Sequence, residues 1–261
     1  MNYRTILYAV NEQVGTITLN RPESRNAISP LMINEIIHAL ELARADDAVR
    51  VIVITGAGKG FSAGGDLGMM GGGGTDAAGE TVEIKHGFPE LNLAFAHNQK
   101  PTIAKVNGHA MAGGLGLMVA CDFAIASDKA EFATPEINVG LFPMMIMANI
   151  FRNVPRKRGL ELVLLGERIG AAEAERIGLI TRAVPAEKLD QAVDELAGKL
   201  KAKSPALLRL GLDAFYRQQD MALEEALPYL NQMLARCFET EDFREGVTAF
   251  LEKRQAQWKG K

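Results

Sequence analysis

Phe61-Ser62-Ala63-Gly64-Gly65-Asp66-Leu67 and Asn107-Gly108-His109-Ala110-Met111-Ala112-Gly113-Gly114-Leu115-Gly116 are the two stretches that decide how this chain is read. Each follows a short β-type run, Val51-Ile52-Val53-Ile54-Thr55 in one case and Thr102-Ile103-Ala104-Lys105-Val106 in the other. The second opens into an apolar stretch, Leu117 to Ala120, which is expected to be helical. Glycine permits close approach and dihedrals that other residues avoid, so such turns can aim main-chain N–H groups at one point. Two N–H groups converging on a carbonyl oxygen form an oxyanion hole, and one at a helix N-terminus gains from the helix dipole. The pattern therefore predicts chemistry through an enolate or another oxyanion.

Outward from these turns, the chain reads as strands alternating with helices. Arg4 to Ala9 and Gly15 to Asn20 read as a hairpin joined by Asn11-Glu12-Gln13. Ser29-Pro30 supplies an N-cap and a proline at the first helical position. Ile33, Ile36, Ile37 and Leu40 then fall at i, i+3, i+4, i+7 and mark one buried face. Gly71-Gly72-Gly73-Gly74 lies within Gly68 to Gly87, a stretch whose ordering entropy predicts a mobile flap. A helix is expected over Leu91 to His97, and a further strand over Phe123 to Ala126. From Pro185 onward strand signals vanish, Ser204-Pro205 marks another helix start, and 221–257 is helix-forming apart from Pro228. The expected organisation is an α/β (α+β) core over residues 1–200, followed by a helical part over 201–261.

Composition narrows the class. A chain of 261 residues can bury a sizeable core, and 48% hydrophobic with 23% charged residues is ordinary for a globular domain. A net charge of -3 gives no reason to expect a nucleic-acid or membrane partner. Cys121 and Cys237 are too few for a disulfide framework, which favours a reducing compartment. With no membrane-length apolar run and no signal-like start, the expected location is cytoplasmic.

The glycines also invite nucleotide readings. Gly58-Lys59-Gly60-Phe61-Ser62-Ala63 fits G-x-G-x-x-A after a strand, yet Gly64-Gly65 breaks the helix that should begin there. No second strand ends in an acidic residue at the required distance, about 20 positions on. Gly58-Lys59 is followed by Gly60 rather than Ser or Thr, so a phosphate loop fails too.

A larger set of short motifs resembles the enoyl-CoA hydratase/isomerase (crotonase) superfamily over nearly the whole chain. It comprises Leu19-Asn20-Arg21-Pro22 with Asn26-Ala27, Phe61 to Asp66, Asn107-Gly108 with Gly113-Gly114, and Cys121-Asp122. It continues through Phe132 with Pro135-Glu136, Gly166-Glu167-Arg168-Ile169 with Ala172-Glu173-Ala174, Gly178-Leu179-Ile180 and Val184-Pro185. The resemblance implies a crotonase-like spiral of ββα repeats whose C-terminal helices mediate trimerisation, as a homotrimer or a dimer of trimers. It implies an acyl-CoA thioester as substrate, a stabilised thioester enolate, and no cofactor, coenzyme A being part of the substrate.

Carried over residue by residue, the resemblance puts the oxyanion-hole N–H groups on Ala63 and Gly113. Ala63, Gly64, Gly65 and Asp66 would line the thioester and pantetheine path. Ala27 and Ile28 would flank the adenine through backbone contacts, and Phe250 and Lys253 would reach a neighbour's CoA phosphates. Hydratases of the family use two glutamates. The second aligns with Glu136, whose neighbours Phe132, Pro135, Ile137 and Val139 predict a partly desolvated carboxyl with a raised pKa. The first falls at Gly116, where no carboxylate exists. One base suffices to shuttle a proton from Cα to Cγ, as in the family's Δ3,Δ2-enoyl-CoA isomerases. Hydration could be restored by a water held near Gly116, or by Asp76, Glu80 or Glu83. The extra aspartate of dienoyl-CoA isomerases would fall at Met144. Decarboxylation, thioester hydrolysis and non-catalytic acyl-CoA binding are the alternatives.

Other candidates carry less. Asp122 is expected to fix a turn and His109 to pack. His38, His86 and His97 show no metal-ligand spacing, and Glu161 and Glu167 are expected on solvated helices. Seven of eleven methionines lie between Met69 and Met147, and Phe142-Pro143-Met144-Met145-Ile146-Met147 could shape a bulky apolar acyl pocket.

Overall fold

The computed structural model describes residues 3–66, 68 and 85–261. A six-stranded sheet in the order β1-β2-β3-β4-β6-β9 forms its centre. It contains β1 (Ile6–Asn11), β2 (Val14–Leu19), β3 (Val51–Gly56), β4 (Thr102–Val106), β6 (Phe123–Ser127) and β9 (Arg182–Val184). β1 and β2 are antiparallel, and every other neighbouring pair is parallel. The hairpin is shifted from its expected span, because Glu12 and Gln13 both take positive φ (47° and 69°) and close a two-residue turn.

β3 is buried along its whole length, because both faces of the sheet are covered. Ile52 and Ile54 point into the larger core with Ile33, Ile36, Ile37 and Leu40 of α1 (Pro30–Ala45). Val51 and Val53 point the other way, against Leu189, Ala192, Val193 and Ala197 of α7 (Leu189–Lys201). The α1 periodicity is thus realised, and Ser29 caps the helix by accepting from the Met32 amide.

A second, three-stranded sheet carries β5 (Ala110–Met111), β7 (Glu131–Ala133) and β8 (Ile169–Gly170). The chain also carries α2 (Phe88–Ala96), α3 (Gly113–Val119), α4 (Met144–Asn153), α5 (Arg156–Leu165) and α6 (Ala171–Arg176), of which α3 and α6 pack on this sheet. The chain ends in α8 (Pro205–Gln218), α9 (Leu223–Glu239) and α10 (Glu241–Glu252). Ser204 caps α8 and donates to the buried Asp242, whose other oxygen accepts from the Lys259 and Gly260 amides. Tyr216 of α8 donates to Asp122 at 2.6 Å. Asp122 also accepts from the Thr102 amide and hydroxyl, so it ties α8 to the start of β4. Burial pushes its carboxyl pKa up against these hydrogen bonds.

Glu167 lies in the connection after α5 rather than on a helix, because Gly166 ends that helix in the left-handed region (φ 63°). Gly71–Gly74, Met69, Met70, Asp76, Glu80 and Glu83 lie outside the described residues. Among the described residues no helix is long and apolar enough to cross a membrane. Both cysteines are free thiols.

Candidate active site

The two glycine turns meet. The Ser62 amide bonds to the His109 carbonyl and the Met111 amide to the Ser62 carbonyl, at 3.2 and 2.9 Å, which lays the first turn along β5. A Cβ on Gly114 would stand 2.6 Å from Ser62 Cβ, so only glycine lets α3 lie this close. A third segment locks the pair. Ile28 N–H bonds to Gly64 O at 2.7 Å, and Asp66 N–H to Ile28 O at 2.9 Å. Asn26 is fully buried; its side chain accepts from the Arg21 amide and donates to the Ala57 and Gly60 carbonyls. Arg21 donates from one guanidinium nitrogen to Ala27 O and to Asp66 Oδ2, both at 2.9 Å.

These bonds decide which amides stay free. Ala63, expected to supply an oxyanion donor, spends its N–H on Arg25 O at 2.9 Å. The Gly64 amide goes to Ser62 Oγ and the Asp66 amide to Ile28. Among the described residues the Gly65 amide has no acceptor, and Gly113, as the first residue of α3, has none within its helix. A Cβ on Gly113 would lie 3.2 Å from Gly65 N, and one on Gly64 3.2 Å from Gly113 N. The structure therefore corrects the sequence expectation: the free amide facing Gly113 belongs to Gly65, and Ala63 presents an exposed methyl beside it. Gly64 sits at φ 104°, which is what turns the chain so that its neighbour's N–H is left over.

Ala112 precedes Gly113 with φ 48° and ψ -128°, a conformation that a residue with a Cβ rarely adopts. Its amide is held by Ala133 O at 2.9 Å. β5 pairs with β7 in the register Ala110↔Phe132, Met111↔Ala133, and Glu136 follows three residues later on the 3-10 turn Pro135–Val139. Thr134 anchors that turn by donating to Leu162 O at 2.7 Å. Glu136 Oε2 is buried with no hydrogen-bond partner among the described residues, and burial raises the carboxyl pKa above its ordinary value. The desolvation does not come from the expected neighbours alone, since Ile137 and Val139 point outward at 39% and 62% exposure.

Over the α3 glycines lie two apolar side chains, Ile146 from the 142–147 stretch and Phe88, which sequence reasoning did not single out. Phe88 Cε1 and Cζ would stand 2.9 Å from a Cβ on Gly113, and Ile146 Cγ2 2.1 Å from a Cβ on Gly116. The direction in which a first glutamate would project is therefore filled by isoleucine.

The remaining candidates are dispersed. Ile28 has its amide and carbonyl engaged with the Gly64–Asp66 turn, and Ala27 has its amide on Ser24 O and its carbonyl on Arg21. Neither residue therefore has a free backbone N–H. Phe250 and Lys253 sit at the end of α10, with Phe250 82% exposed, and no hydrogen bond or ion pair joins either to Ala27, Ile28 or the 63–66 turn. His109 does not pack inward: its side chain is about half exposed, 3.7 Å from Glu131. Met144 and Met145 are exposed, whereas Phe142 and Met147 pack against the core. Among the described residues no cluster of His, Cys, Asp or Glu could hold a metal ion.

Residues 9–261 match the family model described as enoyl-CoA hydratase/isomerase. The probable enoyl-CoA hydratase of Rhizobium meliloti (strain 1021) is 36% identical over 261 residues, covering 99% of both chains. A crystal structure of an enoyl-CoA hydratase from Mycobacterium smegmatis superposes with a TM-score of 0.90 at 34% identity, covering 98% of this chain and 99% of that one. Human enoyl Coenzyme A hydratase domain-containing protein 3 does so with a TM-score of 0.90 at 32% identity, covering 98% and 100%.

Proposed function

This chain belongs to the enoyl-CoA hydratase/isomerase family and has the crotonase fold, and on that footing we propose that it is a one-base enoyl-CoA isomerase. A 3-enoyl thioester would place its carbonyl oxygen on the Gly65 and Gly113 amides. Glu136, as carboxylate, takes a proton from Cα, which lies between the carbonyl and the double bond. The electron pair delocalises into a dienolate whose negative oxygen the two amides hold. Glu136, now the acid, returns the proton at Cγ, and the conjugated 2-enoyl thioester leaves with no change in composition. Coenzyme A arrives on the substrate and no further cofactor is needed.

The single observation that carries this reading is the pairing of a buried, partnerless Glu136 oxygen with a filled space at Gly116. A buried carboxylate oxygen without a partner is rare, and substrate is the partner it lacks. Its raised pKa suits a group that must both accept and return a proton. Each amide donor is worth roughly 10²–10³ in rate, by analogy with single oxyanion-hole deletions. Hydration of a 2-enoyl thioester is the second reading, favoured by the names of the relatives above. Mass spectrometry of 2- and 3-enoyl-CoA esters incubated in D₂O separates the two. Conversion of the 3-enoyl ester to the conjugated product without added water supports the proposal, and gain of one heavy water refutes it.

The oligomer belongs to the same proposal. Phe215, Leu223, Leu227, Leu234, Phe238 and Leu251 expose half or more of their surface, which supports residues 201–261 packing on neighbouring subunits. Light scattering at several concentrations tests for a trimer or hexamer. The compartment we propose is the cytoplasm.

A further inference from the structure

α2 and α4 are far apart in sequence, yet each places one apolar side chain on the same face of α3: Phe88 over Gly113 and Ile146 over Gly116. Positions 113 and 116 are one helical turn apart, so the two contacts lie side by side. The same two helices are joined by a polar bond. Asn149 Nδ2 donates to Asn92 Oδ1 at 2.6 Å, and Asn92 Nδ2 donates to Phe88 O at 2.7 Å. Asn149 stands three residues after Ile146 on α4, and Asn92 four residues after Phe88 on α2, so each asparagine shares a helix face with its apolar partner. α4 is also the continuation of the Glu136 turn: Leu141 N–H closes that turn on Glu136 O at 3.0 Å, and the helix begins at Met144.

We infer that Phe88 and Ile146 form an apolar roof that keeps water off the α3 face beside the oxyanion amides, and that Asn92 and Asn149 are positioning residues that hold its two halves together. The inference rests on the one-base reading above and adds to it what decides the fate of the dienolate. With water excluded, the proton source among the described residues is Glu136, and the reaction returns to carbon. Ile146 is then a specificity-determining residue, because its Cγ2 takes the volume in which either a second carboxylate or a water would have to stand. The asparagine pair supplies direction that apolar contact lacks, fixing the angle between α2 and α4.

The test uses the full chain with Ile146→Ala and Asn149→Leu. The latter keeps the side-chain volume close while removing the donor. Two readouts are taken. One is the ratio of hydrated to isomerised product from 3-enoyl- and 2-enoyl-CoA esters. The other, independent of turnover, is hydrogen exchange of the backbone amides in a peptide spanning 110–120. Ile146→Ala should raise the hydrated fraction at least tenfold and speed amide exchange at 113–116, while exchange of the substrate α-proton stays within a few-fold of the parent. Asn149→Leu should move both readouts the same way by a smaller factor, with KM for the ester little changed. A merely structural role would lower both products together and leave their ratio alone. Unchanged ratio and unchanged amide exchange in both variants overturn the roof while leaving the isomerase reading in place. A parent protein that hydrates 2-enoyl esters and does not isomerise overturns that reading, and the roof as a water barrier with it.

Discussion

Replacing Ala112 with glycine should stabilise the protein, against the usual sign of that change. Ala→Gly inside a helix costs about 1 kcal/mol, because glycine has more backbone freedom to lose. Ala112, however, sits at φ 48° and ψ -128°, directly before the first residue of α3. Holding a residue with a Cβ in such a region costs roughly 1–3 kcal/mol, which glycine recovers. Against this stand roughly 0.4–1 kcal/mol of extra unfolded-state entropy and at most about 0.8 kcal/mol for a methyl that is only partly buried. The midpoint is a gain of about 1 kcal/mol, read as a higher urea midpoint at unchanged m-value. Ala39→Gly, in the interior of α1 and fully buried, is the control that should lose stability. Activity should move oppositely to stability at position 112, because a freer link no longer fixes the Gly113 amide, and kcat should fall while ester affinity holds. A loss of about 1 kcal/mol at position 112, matching a helical alanine, would refute the claim that strain is stored beside the site.

Glu136→Gln should lower kcat by about 10²–10⁴, the usual contribution of a general base, with ester binding within a few-fold. In the parent, kcat/KM should rise with pH along a limb lying above about 4.3, the ordinary glutamate value, because burial raises this pKa. A raised folded pKa means the folded state holds more protons between the two values, so stability falls as pH rises through that window and the Gln variant loses this slope; a limb that survives in the variant removes Glu136 from the role. Tyr216→Phe strips the donor from buried Asp122 Oδ1 and should cost about 1–3 kcal/mol. That loss should shrink as pH falls, since protonation relieves a carboxylate already pushed up by burial; a pH-independent change under about 0.5 kcal/mol would contradict the tie described for α8. Met144→Ala, at an exposed site, should leave stability unchanged and shift the preference between long and short acyl chains several-fold. An unchanged preference excludes Met144 from the acyl site.

Much of the architecture is legible because local signals and tertiary packing agree. The Ile33, Ile36, Ile37, Leu40 stripe, the Ser29-Pro30 and Ser204-Pro205 starts, and the apolar runs at 51 and 102 each correspond to an element near its expected bounds. What was hidden depends on partners distant in sequence. Within Gly64-Gly65 nothing local says which amide remains free. Arg25 and Ile28 decide it by taking the amides of residues 63 and 66, which leaves the Gly65 amide rather than that of Ala63. Ile146 and Phe88 lie 30 and 25 positions from the glycines they cover; Phe88 carries no motif, and nothing in the 142–147 stretch says that Ile146 faces Gly116. The pattern of unusable Cβ space at 113 and 116 becomes informative only once the helices are placed. β5, two residues long, and the 3-10 turn that presents Glu136 are too short for any periodicity to announce them.

The contact between Gly116 and Ile146 also fixes an order in which this sequence can drift. A glutamate at 116 alone would drive its Cβ to 2.1 Å from Ile146 Cγ2, an overpacked intermediate. Shrinking Ile146 first avoids the collision but leaves a cavity, at about 2–5 kcal/mol for Ile→Ala. Both single-step routes to a carboxylate at 116 cross a protein less stable than the parent. Position 116 therefore behaves as a ratchet that stays glycine unless Ile146 shrinks or α4 moves.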